Sequence, residues 1–124
     1  MKKSDRAWLA GLLEGEGYFG WNTNTRGHRV PVMDVCSTDR DVMEKVTQLT
    51  GANLLGPYGP YGPNRDRKRP HYKVQWYGRD AIRIIRIIRP WLFTRRASRA
   101  DAMLEWRFHK VSNNKTTGRL EVVA

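Results

Sequence analysis

The sequence predicts an α+β fold, one antiparallel sheet with helices packed against it, on three observations. Residues 18–24 and 71–77 alternate apolar and polar positions, the signature of strands buried on one face. Other segments place apolar residues at three- and four-residue spacing, as at Val42, Met43, Val46 and Leu49, or Ile82, Ile85 and Ile88. The chain has 124 residues, 40% of them hydrophobic, which suffices for a single core. The predicted order is αββαββαα, one domain over residues 1–111 with a flexible C-terminal tail over 112–124.

The first helix is expected over residues 5–15, with Ser4 as its N-cap. Ala7, Gly11 and Gly15 recur every four residues and form one stripe of small side chains. Glycine inside a helix costs roughly 1 kcal/mol against alanine, so two on one stripe imply that another backbone packs close. A second copy of the same helix fits, because a twofold contact is self-complementary. In the first strand Phe19 and Trp21 face one way, and Gly20, Asn22 and Asn24 the other. Asn24-Thr25-Arg26-Gly27 is a turn, and Val30 to Val35 returns as the second strand. Pro31 leaves the facing of that strand ambiguous.

Ser37 or Thr38 caps a helix over residues 39–50, which Gly51 stops. A short strand near residues 53–55 leads into a stiff extended loop, where Gly-Pro-Tyr occurs twice before Gly62-Pro63-Asn64. The basic tip Arg65-Asp66-Arg67-Lys68-Arg69 follows. The next strand turns Tyr72, Val74 and Trp76 inward and His71, Lys73, Gln75 and Tyr77 outward. Asp80 caps a helix to residue 89, where Pro90 ends it, with Arg83, Arg86 and Arg89 on its solvent side. A last helix is expected over residues 95–111, with Ala100, Met103, Leu104, Phe108 and Val111 inward.

The formal net charge is +11. Such an excess brings self-repulsion and no advantage to the fold, so it points to an anionic partner, nucleic acid before a membrane surface. No apolar run reaches the length of a membrane-spanning helix. The first residues turn acidic too early for a secretion signal, which makes an intracellular location, cytoplasmic or organellar, the expectation. Cys36 is the single cysteine and the three histidines are far apart, which argues against zinc.

Gly15-Glu16-Gly17-Tyr18-Phe19-Gly20 fits the dinucleotide-binding pattern, but that motif follows a strand and opens a helix. Here it does the reverse, and Glu16 would repel phosphate. Two acids, Glu14 and Glu16, stand at a helix C-terminus, whose partial negative charge prefers cations. A divalent cation would justify them: a carboxylate and a free carbonyl are hard oxygen ligands that suit Mg²⁺, the ion that activates water in phosphodiester hydrolysis. If the small-residue stripe is a twofold contact, two copies of Glu16 meet near the axis.

Leu9 to Gly17 resembles the signature of the LAGLIDADG homing endonucleases, with Glu14 and Glu16 at its two acidic places. The helix-hairpin-helix-hairpin-helix order resembles the family's αββαββα core, whose sheet forms a DNA-binding saddle. Ser37 to Val42 and Pro90-Trp91-Leu92 with Arg95 and Arg96 resemble further family segments. The resemblance to the single-motif type implies a homodimeric, Mg²⁺-dependent (or Mn²⁺-dependent) nuclease, intron-associated, that cuts double-stranded DNA. It implies that Glu16 binds the catalytic metal with the Gly15 carbonyl as a further ligand. Glu14 becomes a helix-end or interface carboxylate, and Ala7, Gly11 and Gly15 lie at the dimer contact.

The family's polar residue at the end of the second strand falls on Ser37, or on Cys36 in the other register. Its lysine after the Pro-aromatic-Leu segment falls on Arg95, a departure that keeps the charge but does not readily release a proton. That departure motivates an alternative: a catalytically weak or inactive member that acts as an RNA-splicing maturase on intron RNA or as a DNA-binding protein. For DNA reading the resemblance implies Asn22, Asn24 and Arg26 from the first hairpin and Lys73 and Gln75 from the second. Arg65, Arg67, Lys68 and Arg69 would hold phosphate. A domain of this length is roughly 35 Å across. One DNA turn is about 34 Å, so a dimer would span a long pseudo-palindromic site.

Overall fold

Helix α1 (Lys3–Glu16) has a buried side, Leu9, Ala10 and Leu13, and an exposed side that includes Gly11, Gly15 and Glu16. A computed structural model describes residues 1–106, and at 67, 109–111 and 120–122 the backbone alone. α1 runs directly into β1 (Gly17–Thr23), which pairs antiparallel with β2 (Arg29–Ser37). Helix α2 (Arg40–Thr50) follows, then β3 (Leu55–Tyr58), β4 (His71–Tyr77), α3 (Arg79–Ile88) and α4 (Thr94–Leu104). The four strands make one antiparallel sheet in the order β1-β2-β4-β3. A separate two-stranded ladder joins β5 (His109–Val111) to β6 (Leu120–Val122).

One sheet face carries the core. Phe19, Met33, Val35, Val74 and Trp76 point inward and meet Leu9, Leu13, Met43, Val46, Ile85, Ile88, Ala100 and Met103 from the four helices. Among the described residues no helix packs on the other face, as an antiparallel sheet allows. The expected α+β architecture is present.

The transition from α1 to β1 depends on one glycine. A Cβ at Gly17 would stand 2.5 Å from the Leu13 carbonyl oxygen and 3.0 Å from its Cα. Both are backbone atoms fixed by the helix, and Gly17 N donates to that same oxygen. Gly17→Ala should therefore lower the unfolding free energy by about 2 kcal/mol or more, read from the urea midpoint. At Gly11 an added Cβ meets nothing within 4 Å. Gly11→Ala should be neutral or stabilising, which makes it the control.

Pro31 turns out not to interrupt the sheet. It pairs with Trp21 of β1, while the pairing with β4 begins only at Val32. Its carbonyl accepts from Gly78 N at 2.9 Å, so its nitrogen faces the side where β4 has already ended. The facing of β2 is thereby fixed: Met33 and Val35 lie inward and Asp34 and Cys36 outward.

Several sequence expectations need correction. Ser4 lies inside α1, whose N-cap is Lys2 without a side-chain bond. Helix α2 is capped by Asp39 and α3 by Gly78, while Asp80 sits in the first turn of α3. Residues 55–58 form a bulged edge strand on β4 instead of a free loop. Helix α4 ends at Leu104, not at 111, because Trp106 leaves the helix and its Nε1 donates to the Arg29 carbonyl at 3.1 Å. Residues 109–111 are strand, Phe108 lies outside the described residues, and so does the tail except for the backbone of Leu120–Val122.

The segment after α3 is fastened to α4 by Arg89, whose Nε and Nη2 donate to the two Asp101 carboxylate oxygens at 2.7 and 2.9 Å. This fork holds the Asp101 carboxyl below the ordinary carboxylate range. It sets the path of the Pro90–Arg96 stretch, which reaches the end of α1.

Candidate nucleic-acid interface and metal site

The outer sheet face is a grid whose rows follow from the register. Tyr18, Asp34 and Gln75 form one row across β1, β2 and β4. Gly20, Val32 and Tyr77 form the next, and Asn22 and Val30 the one beyond. In the other direction Cys36 pairs with Lys73, and Lys73 with Leu55. Asn22, Lys73 and Gln75 thus share one face, as the alternation predicts. Tyr18 is held flat along its own strand, since a Cβ at Gly20 would fall on its ring.

Asn24 and Arg26 sit at the tip of the first hairpin. The Asn24 Oδ1 accepts from the backbone N–H groups of Arg26 and His28, both at 3.0 Å. That carboxamide oxygen shapes the turn and is not offered to a ligand. Arg65, Lys68 and Arg69 are exposed on the β3–β4 loop, and a 3-10 turn spans Arg65–Arg67. Arg69 stands 3.8 Å from Asp39, and the Arg67 side chain lies outside the described residues.

Glu16 closes α1 and is exposed at the edge of this face. The last register pair is Gly17 with Val35, so one step further Cys36 stands at the level of Glu16. Ser37 faces the other way, and its Oγ accepts from Asp39 N at 3.0 Å to steer the chain into α2. Of the two residues that the sequence leaves open, Cys36 is the one on the outer face of the sheet. Burial first, and then the Asp34 carboxylate, push the Cys36 thiol up, while Lys73 opposes them. It stays a neutral thiol at pH 7, a poor ligand for a hard cation.

Glu14 and Glu16 have different surroundings. Glu14 is half-buried and its Oε2 accepts from Phe93 N at 3.4 Å. The Glu14 carbonyl accepts from Arg96 Nε at 3.3 Å, and the Arg96 guanidinium lies 5.4 Å from the centre of the Phe19 ring. A cation does complement the helix C-terminus, but it comes from 82 residues away in sequence. Arg96 is half-buried in this role, whereas Arg95 is exposed beside it.

Among the described residues no three His, Cys, Asp or Glu side chains come together. The donor set that one chain offers is the Glu16 carboxylate and the helix-end carbonyls, all hard oxygen. Oxygen donors of this kind suit Mg²⁺, although the Glu14 carbonyl is taken by Arg96 and the Leu13 carbonyl by Gly17 N. Ala7 is half-buried and Gly11 and Gly15 are exposed, and an added Cβ at either glycine meets nothing within 4 Å. Among the described residues no other backbone explains the small-residue stripe.

Sequence reasoning missed Asp34 on the outer face, the Arg96 cap and the Tyr18–Gly20 contact. The first was hidden by the ambiguous facing of β2. The other two are tertiary contacts without a local signal. Among the described residues no helix is long and apolar enough to cross a membrane.

The sequence matches no protein-family model and no curated protein. Solved structures are similar in fold. The homing endonuclease I-CvuI, in complex with its target in the presence of calcium, superposes with a TM-score of 0.61 at 13% identity, over 82% of this chain and 65% of that one. The archaeal intron-encoded homing endonuclease I-Vdi141I, complexed with DNA, gives 0.55 at 13% identity, over 84% and 71%. The LAGLIDADG meganuclease I-AabMI, bound to uncleaved DNA, gives 0.57 at 14% identity, over 80% of this chain and 34% of that one. The chain thus spans about two thirds of the first and one third of the last. It has the fold of the LAGLIDADG homing endonucleases.

Proposed function

We propose that this chain is a site-specific homing-type DNA endonuclease that acts as a homodimer of single-motif chains. It makes a double-strand break in a long pseudo-palindromic site by metal-dependent phosphodiester hydrolysis. One observation carries the reading: an exposed carboxylate, Glu16, stands where α1 runs into the sheet whose outer face carries Asn22, Asp34, Lys73 and Gln75. Similarity in fold to chains crystallised on DNA, with calcium or magnesium present in some, supports it. Such a substrate goes with an intracellular site of action, cytoplasmic or organellar.

In this reading the sheet face lies along the major groove, with Asn22, Lys73 and Gln75 toward base edges. Arg26 and Asn24 come in at the hairpin tip, Asn24 chiefly as its brace. Arg65, Arg67, Lys68 and Arg69 hold phosphates and set the register. Glu16 and the Gly15 carbonyl would hold Mg²⁺ or Mn²⁺, which supplies positive charge over the scissile phosphate and a water of lowered pKa. Arg95 stabilises phosphate charge without taking a proton, and the Cys36 or Ser37 position organises solvent beside Glu16. Glu14 positions the helix end through Phe93. Ala7, Gly11 and Gly15, with Glu14 near them, face the second copy, so that two Glu16 carboxylates serve the two DNA strands.

The test uses a randomised duplex library with Mg²⁺ and sequencing of the cut ends. Paired ends from one pseudo-palindromic site are expected. Arginine at 95 favours a second reading, in which the chain binds DNA or intron RNA without cutting. Retention of one DNA or RNA sequence with no cut ends would select it.

Binding in either case should weaken steeply with salt, because each neutralised phosphate releases counterions. Four to six phosphate contacts per chain, doubled in the dimer, would give log K against log[salt] a slope of about −7 to −11. A flat response would contradict the phosphate role of the β3–β4 loop.

A further inference from the structure

We propose that Asp34 and Lys73 act together as the reader of one base pair and select a C·G pair through the cytosine amino group. The inference rests on the sheet face being the DNA contact. Among the described strand residues on that face, Asp34 is the single acid. An acid there opposes the approach of phosphates unless it has a purpose or a partner. Its partner is Lys73, with Nζ 3.7 Å from Oδ2 and side-chain exposures of 29% and 19%.

A cross-strand ion pair that only stiffens the sheet is the plain alternative. The geometry favours a reader. Asp34 pairs with Gln75 and Lys73 with Cys36, so the ion pair is a diagonal between neighbouring rows. At 3.7 Å it is longer than the 2.7–2.9 Å of a charge-assisted hydrogen bond. The charges compensate while the carboxylate lone pairs and the ammonium protons remain free to bond outward. The pair lies on the two inner strands of the sheet, flanked by Tyr18, whose ring is laid over Gly20. Gln75 is held on the other side, its Oε1 accepting from Tyr77 Oη at 3.0 Å.

An ionised carboxylate only accepts hydrogen bonds. In the major groove the donors are cytosine N4 and adenine N6, so Asp34 excludes guanine and thymine on the strand that it faces. Lys73 only donates. Beside cytosine N4 it finds O6 and N7 of the paired guanine. Beside adenine N6 the acceptors are split, adenine N7 on one side and thymine O4, next to a methyl group, on the other, whereas guanine offers both of its acceptors together. The two-sided demand of this pair is met best by C·G.

The experiment is selection of a randomised duplex library on the full chain without metal, comparing wild type, Asp34→Ala and Asp34→Asn. The wild type should enrich C·G at one position per half-site, on the order of tenfold. Asp34→Ala should lose preference at that position alone. Asp34→Asn should move it to adenine, because a carboxamide pairs with adenine N6 and N7. A merely structural ion pair would not change base identity. Preferences at the other positions report that the variants remain folded. An enriched site that Asp34→Asn leaves unchanged, or weakens uniformly, overturns the inference while DNA reading stands. If the wild type enriches no site, the inference and the proposed function fall together.

Discussion

Glu16→Gln is expected to leave DNA binding within about twofold and to reduce cleavage on the order of a thousandfold or more. The substitution is nearly isosteric and removes one negative charge from an exposed position. The end of α1 should not suffer: an acid at a helix C-terminus is unfavourable by roughly 0.3–1 kcal/mol, so the variant should be as stable as the wild type or slightly more so. A thermal melt and a binding isotherm with metal withheld establish that the fold and the DNA surface survive. Cleavage kinetics over a magnesium titration then read the chemistry alone. Glu14→Gln is the comparison. Its carboxylate contacts Phe93 N at a long 3.4 Å and is half-buried, so a smaller loss is expected, through looser positioning of the 93–96 stretch. Glu16→Gln that still cuts at the wild-type rate would remove the metal role from this residue. Equal losses in the two variants would argue for a shared structural cause.

The difference between the two acids shows how far the sequence could be read. Their oddity at a helix end was legible, because helix electrostatics is a local rule. Their separation into one exposed and one tethered carboxylate was not, because it depends on Phe93 and Arg96 arriving from the far end of the chain. The same boundary runs through the sheet. Period-two alternation gave the inward and outward sides of β1 and β4, whereas β2, with apolar residues on both sides and a proline, carried no such signal. Its facing emerged only from the partners of Pro31, and with it the outward placement of Asp34 and Cys36. Helix α4 failed for the complementary reason. Leu104, Phe108 and Val111 continue a helical spacing, but Trp106 is drawn out by the Arg29 carbonyl, and a single tertiary hydrogen bond outweighs weak propensity there.

Gly11→Leu should convert the protein from dimer to monomer in sedimentation and abolish double-strand cleavage, while leaving the folded chain at least as stable as before. Among the described residues nothing lies within 4 Å of an added Cβ at Gly11, and the residue is exposed. Leucine there starts from a Cβ in open space and is a better helix former than glycine by up to about 1 kcal/mol. A second α1 packed on the Ala7, Gly11, Gly15 stripe would instead be pushed outward by a four-carbon side chain, at the point where small residues permit the closest approach of two backbones. In a twofold contact each substitution occurs twice, so overpacking of about 1–3 kcal/mol per site is doubled. The two halves of the prediction move in opposite directions, which separates it from ordinary destabilisation. A lower sedimentation coefficient at the same protein concentration, with a melting temperature no lower than that of wild type diluted below its dimer dissociation, is the expected pair of results. A dimer that persists with leucine at position 11 would place the interface elsewhere. The two Glu16 carboxylates would then lack the common axis that lets one protein cut both strands.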